Sequence, residues 1–364
     1  MTVNHPGIRN FHFKSKNLNS VRISFLIIFT PVIPILLQAH TRSLTKIIFN
    51  QSGDLLFTAS KDSVPNVWRS HNGERLGSFH GHEGVVWSMA VTADSETLIT
   101  GSGDNTARVW AVNGGKEVGR IDTETAVRAV ALAQGDRFLA IVTDATMKKS
   151  AKVLIYEFPS LKLVKTIDCS GDDKIKPTVV AFSDCNEFII TGHQDGSLCL
   201  WDWQSAAADE IITVPVKKNT PHSDVIRDLQ LSADRTYFIT ASRDNTAKII
   251  DTASLSPLKT FKTERPVNSA AISPLRNEVV VAGGQEALHV TTTSSRAGQF
   301  EARFFHQIYE NEVGRVKGHF GPINTLAYHP SGKGYASGAE DGYVRLHHFD
   351  QDYFDFLKDE PVFL

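Results

Sequence analysis

A chain of 364 residues that is 41% hydrophobic and 21% charged has the composition of an ordinary soluble globular protein, with room for one large all-β domain or two to three smaller ones. Its formal net charge of -2 gives no global electrostatic basis for wrapping nucleic acid or docking on anionic lipid. Three cysteines, Cys169, Cys185 and Cys199, have no C-x-x-C spacing and cannot all pair, which points to a reducing compartment and to thiols used as small buried hydrophobes.

Residues 1–33 stand apart from the rest of the chain. Arg9, Lys14, Lys16 and Arg22 lead, without an acidic residue, into the apolar run Ile23–Leu37. That run is short of the ~20 apolar residues a membrane helix needs, and Pro31 and Pro34 would break it. No small-x-small cleavage site comes after it, so the segment reads as a poorly ordered extension or a misplaced start rather than a signal peptide.

From His40 a pattern repeats. His40 and Asp62, His82 and Asp104, His222 and Asp244, and His319 and Asp341 each stand 22 positions apart. Four residues before the aspartate comes a hydroxyl, at Thr58, Thr100, Thr191, Thr240 and Ser337. Six residues after it comes Trp68, Trp110 or, counting from Asp195, Trp201. Alternating apolar runs separated by Asp, Asn and Ser turns fill each unit, as in residues 81–110. Two degenerate units complete the series. In one, Asp144 occupies the turn and Tyr156 the aromatic position; in the other, Gln285 and Thr291 stand at those positions.

A period of about 40–45 residues with Gly-His and Trp-Asp marks predicts an all-β, seven-bladed WD-repeat propeller of four-stranded antiparallel blades. The expected units are about 40–79, 82–121, 124–167, 175–215, 222–262, 265–307 and 319–350, with 357–364 as a tail. Nothing after Asp350 resembles a fourth strand. Residues 34–38 directly precede the first histidine and are expected to supply it, removing exposed sheet edges.

His, Asp and hydroxyl are also the members of a catalytic triad. An enzyme needs one such set, whereas here it recurs. The set therefore reads as a structural chain in which aspartate holds imidazole, imidazole meets hydroxyl, and hydroxyl accepts an indole N–H. The fourteen histidines offer no metal-ligand spacing, and no phosphate-binding or nucleophile-elbow motif is present. No catalytic residue, metal, cofactor, small-molecule ligand or membrane contact is expected. The basic pairs Lys148–Lys149, Lys174/Lys176 and Lys217–Lys218 read as solvated loops, and residues 203–210 as a loop between strands.

Some stretches are unlike generic blades: 34–62, 66–79, 283–306 and, above all, GRVKGHFGPINTLAYHPSGKGYASGAEDGYVRLHHFDQDYFDF at 314–356. In these the chain resembles the WD-repeat subunit i family of eukaryotic translation initiation factor 3, over about residues 34–356. The resemblance implies a cytoplasmic, non-catalytic scaffold that joins subunits b and g. The complex they build helps bring messenger RNA and initiator tRNA to the small ribosomal subunit. The partner surface is expected on the fifth and sixth blades, with Asp228, Asp234, Arg235, Tyr237 and Arg265 as candidates. The alternative is another WD-repeat adaptor, associated with a receptor kinase or a ubiquitin ligase, which would lack the stretches at 283–306 and 314–356.

Overall fold

The computed structural model describes residues 34–169, 176–205, 210–284 and 300–356. Among them, seven antiparallel sheets form a seven-bladed propeller. Blade two shows the plan: an inner strand Val86–Val91, then Thr97–Ser102, Thr106–Ala111 and an outer strand Glu117–Asp122. The inner strand of each blade touches those of its two neighbours, so the seven surround a central channel.

Period-two alternation is muted on the second strands because both of their faces are covered. Thr97–Ser102, Phe138–Thr143, Phe188–His193 and Tyr237–Ser242 are each buried over their last five residues. They lie sandwiched between adjacent blades, where continuous apolar runs are expected of a strand. Ile99, Val109 and Ile121 of blade two pack with Val127, Val130 and Leu139 of blade three. The same mortar recurs between the other blades.

The turn between the second and third strands demands a left-handed residue directly after its aspartate. Ser63, Asn105, Gly196, Asn245 and Gly342 supply it with φ of 68, 63, 83, 67 and 79°. Asn and Gly tolerate this region best, which explains the Asp-Asn and Asp-Gly pairs in the sequence.

The first and last strands among the described residues share a sheet. Ile35–Gln38 lies antiparallel beside Tyr343–His348, with Leu37 opposite Val344, as the outer strand of the blade whose inner strand is Ile323–Tyr328. Leu37 is buried against Val344, Leu346 and Trp68, the last of these belonging to blade one.

Three features depart from the expected units. The outer strand of blade four is Lys217–Asn219, beyond residue 215, while Ile211–Ile212 crosses over and pairs in parallel with the outer strand of blade three. Trp203 anchors that crossover, buried against Phe138 and Phe182 and donating to the Asn186 carbonyl at 2.9 Å. In blade six the third strand is Phe300–His306 and the outer strand Glu312–His319, so the unit runs past 307. Phe305, not Thr291, takes the aromatic position there, paired with Val279. Gln285 and Thr291 lie outside the described residues, as do 1–33, Lys174, 206–209 and 357–364. A short helix, Gln351–Phe356, comes after the last blade. Its Tyr353 stacks on Phe349 at 4.0 Å and lies beneath the Arg276 guanidinium.

Cys169 and Cys199 are buried in the core of blades three and four, where burial pushes the Cys199 thiol up to about 11. Cys185 corrects the expectation for all three thiols, since it is exposed in a turn.

Deleting residues 34–38 is expected to lower the melting temperature markedly, because it strips the last blade of its outer strand. Leu37→Ala alone should cost about 2–5 kcal/mol in urea unfolding. An unchanged melting curve for the deletion would rule this out.

Candidate functional site

The recurring polar chain has a defined geometry. In blade two, His82 Nδ1 lies 2.8 Å from Asp104 Oδ2 and His82 Nε2 lies 2.7 Å from Thr100 Oγ1. The Trp110 indole donates to the same Thr100 oxygen at 2.8 Å. Blade one repeats it with His40, Asp62, Thr58 and Trp68 at 2.9, 2.8 and 2.9 Å. Each aspartate also holds two stretches of backbone. Asp104 Oδ1 accepts from Thr106 N–H and Oδ2 from Glu83 N–H; Asp62 does the same with Val64 and Thr41.

The other blades use parts of the chain. Blade five keeps His222, Asp244 and Thr240, but Ile250 occupies the aromatic position opposite Phe238, so Thr240 carries no indole. Blade seven keeps His319, Asp341 and Ser337. His347 there replaces tryptophan and stacks on Tyr335 at 4.5 Å. Arg345 Nη1 donates to His319 Nδ1 at 2.5 Å. That contact suits the opposite tautomer, with Nε2–H on Ser337, whose lone pairs no indole engages.

In blade four Trp201 donates to Thr191 at 2.8 Å, and the histidine comes from an unexpected place. His193, two residues along the same strand, brings Nε2 within 2.8 Å of Thr191 Oγ1. Asp195 turns to Ser197 instead, at 2.7 Å, and His193 Nδ1 is buried without a partner among the described residues. Blades three and six lack the hydroxyl, with Ile141 and Val281 at its position, and in blade three the turn aspartate Asp144 pairs with Arg128 at 2.8 Å instead of with a histidine. Asp144 is not orphaned by the change, since Lys176 and the Ala145 N–H also reach it.

Burial pulls the His82 and His319 pKa below the usual imidazole value and outweighs the neighbouring carboxylates. It brings His193 to about 4 and His347 to about 3. Burial would raise Asp104, but the Thr106 hydroxyl, His82 and the Glu83 N–H overcome it and leave the carboxyl at about 2.

A second polar system lines the channel and was not legible in the repeat. Lys46 of blade one reaches Asp228 of blade five at 2.7 Å. Asp228 also accepts from Ser269 Oγ at 2.5 Å and Gln230 Nε2 at 2.9 Å. Around them, inner-strand side chains lace four of the seven pairs of neighbouring blades by donating to backbone carbonyls. Thr45 and Thr178 donate to the carbonyls of Val86 and Ile226, and Asn268 and Asn324 to those of Ile323 and Leu44.

The five candidate partner residues do not form one surface. Asp228 is only 4% exposed and faces the channel, so it is no docking residue; its charge is consumed by Lys46. Asp234, Arg235 and Tyr237 lie at the turn between the first two strands of blade five, and Arg265 lies between blades five and six at the opposite end of the strands. On the Arg235 side the surface has unmet capacity. Arg235 Nη1 is out of solvent contact with no partner among the described residues. Tyr237 Oη accepts from Gln307 of blade six at 3.2 Å, and Ile308 and Tyr309 beside it are 51% and 66% exposed. Ile308 and Tyr309 gave no sequence signal, because the turn bearing them comes after a strand displaced by the insertion in blade six.

The EIF3I family model matches residues 32–359. The chain is similar to a protein named eukaryotic translation initiation factor 3 subunit I from Nematostella vectensis, at 48% identity over 88% of this chain and 98% of that protein. A Bombyx mori protein of the same name is 48% identical over 90% and 98%, and one from Taeniopygia guttata 49% identical over 89% and 98%.

Thr100→Val orphans both an imidazole and an indole and should cost about 1–3 kcal/mol for each; Thr240→Val orphans no indole and should cost less in the same urea titration. Stability should also fall on acidification below about 6.5, the ordinary imidazole value. The folded state holds His82, His193, His319 and His347 neutral, so the unfolded chain takes up more protons. Asp104, at about 2 when folded against an ordinary 3.8, adds a further loss below about pH 4. A melting temperature flat between pH 7 and pH 4 would contradict the first part.

Proposed function

The chain belongs to the EIF3I family, and on that premise we propose that it is a non-catalytic scaffold subunit of eukaryotic translation initiation factor 3, acting in the cytoplasm. In this reading it binds subunits b and g and so supports recruitment of messenger RNA and initiator tRNA to the small ribosomal subunit. A rigid ring suits such work, because its turns and grooves present fixed positions to peptides and helices.

The observation that carries the placement is the unpartnered Arg235 guanidinium nitrogen beside Tyr237, with the exposed Ile308 and Tyr309 across the groove. A C-terminal segment of subunit b that sets apolar side chains on Ile308 and Tyr309 and a carboxylate against the solvent-facing part of the half-buried Arg235 would match this surface. Asp234, exposed at the same turn, would sit at the rim. Arg265, at the opposite end of the strands, would serve a different contact.

Arg235→Glu should weaken capture of subunit b by about tenfold or more, since it turns an attraction into a repulsion, with a melting curve recorded alongside to show that the variant remains folded. Undiminished capture would count against this placement. A sucrose gradient of cell lysate tests the wider reading: part of the protein should sediment with small-subunit initiation complexes. Migration only at the top, with no initiation-factor partners in the pulldown, would sink it.

A further inference from the structure

Four Asn-Gly or Asp-Gly pairs fall within the described residues: 72–73, 113–114, 195–196 and 341–342. Such pairs rearrange because glycine has no side chain to shield its amide nitrogen. That nitrogen must be free to reach the preceding side-chain carbonyl carbon. In three of the four it is held. Gly73 N–H donates to the Arg69 carbonyl at 2.9 Å, Gly196 to His193 at 3.3 Å and Gly342 to Ala339 at 3.3 Å. Gly114 N–H has no acceptor among the described residues.

The difference comes from register within the turn. Blades one and two both end their third strands with a tight turn, closed by Arg69 N–H to the Glu74 carbonyl and by Ala111 N–H to the Lys116 carbonyl. In blade one the Asn-Gly pair sits one position later, which puts Gly73 where the turn itself consumes its N–H. The Asn72 side chain is also occupied, accepting from Glu74 N–H at 3.0 Å. A Cβ on Gly73 would strike Leu37 and Ile35 at 2.5 and 2.6 Å, so the outer strand of the last blade clamps this turn. A Cβ on Gly114 would meet nothing within 4 Å. Its φ of +84° keeps the turn in a conformation that glycine alone adopts readily.

We propose that Asn113 is a site of non-enzymatic deamidation in the folded protein, and that Asn72 is protected. The deprotonated Gly114 amide nitrogen bonds to Asn113 Cγ, the Cγ–Nδ2 bond breaks and ammonia leaves. Water then opens the resulting succinimide at either carbonyl, giving aspartate or isoaspartate. No oxidant or further reactant is needed. The product carboxylate enters a cavity of about 680 Å³ between blades one and two, lined by Leu76, Gly77, Phe79, Glu96 and Val112. The Val112 N–H bond to the Glu96 carbonyl, at 2.8 Å, places the two turns side by side. A groove that starts with one carboxylate thus acquires a second with age.

The two sites separate in a tryptic digest, as residues 70–75 and 109–116. Full-length protein is held folded at physiological temperature in mildly alkaline buffer, and in parallel in denaturant. Peptide mass and retention report the amide-to-acid change and the isoaspartyl isomer. Conversion of Asn113 severalfold faster than Asn72 in the folded sample, with comparable rates in denaturant, is the expected result. Equal rates in the folded sample would overturn the proposal, as would an Asn113 that stays intact while the denatured chain converts. Asn113→Gln, checked for an unchanged melting curve, should abolish the change in the second peptide alone; its persistence there would also overturn the assignment.

Discussion

In four of the seven blades a single carboxylate is shared between two pieces of backbone that are distant in sequence. Asp62, Asp104, Asp244 and Asp341 each hold the turn in which they sit and, 21 residues upstream, the backbone N–H of the residue next to a histidine. The imidazole is trapped between that carboxylate and a hydroxyl on the blade's second strand. Loop, turn and strand are thereby fixed together, and sheets of four short strands become rigid units. Burial is tolerated because both ring nitrogens of each imidazole are engaged, which leaves no unpaired polar atom in an apolar setting.

This arrangement could be read from the sequence because it is local, lying within one unit and recurring at fixed offsets. What could not be read depends on the ring. Lys46 and Asp228 are 182 residues apart, and no offset announces their meeting across the channel; Asp228 instead looked like a surface charge. His193 escaped notice because it serves its threonine from two residues away on the same strand, outside the expected spacing. Phe305 was displaced by an insertion that shifts the third strand of blade six past the position where an aromatic is expected. Ile211–Ile212 joins the neighbouring blade, and alternation alone cannot say whose edge a strand will take.

The docking candidates divide along the same line. The residues that repeat hold the blades together, and the surface with spare bonding capacity lies where repetition fails. Arg235 stands at a turn, and Ile308 and Tyr309 come just after the irregular third strand of blade six. Evolution of a binding face at such places leaves the fastening intact, since neither group takes part in a histidine–aspartate pair. Lys46, Asp228 and their partners line the channel and bind one another there, whereas Ile308 and Tyr309 stand exposed outside it.

The pairing of Ile35–Gln38 with Tyr343–His348 also sets an order of events during synthesis. The first strand among the described residues is the last to find its neighbour, because its partner leaves the ribosome only after almost all of the chain has been polymerised. Lys46 likewise lacks its carboxylate partner until Asp228 is made. Apart from Ile211–Ile212, which joins blade three from beyond the third strand of blade four, the strands of blades one to six come from contiguous sequence, but the seventh joins segments about 300 residues apart, the slow class of contact in folding. For most of translation the apolar segment Ile35–Gln38 is therefore without the strand it pairs with. It is the segment most in need of shielding until release.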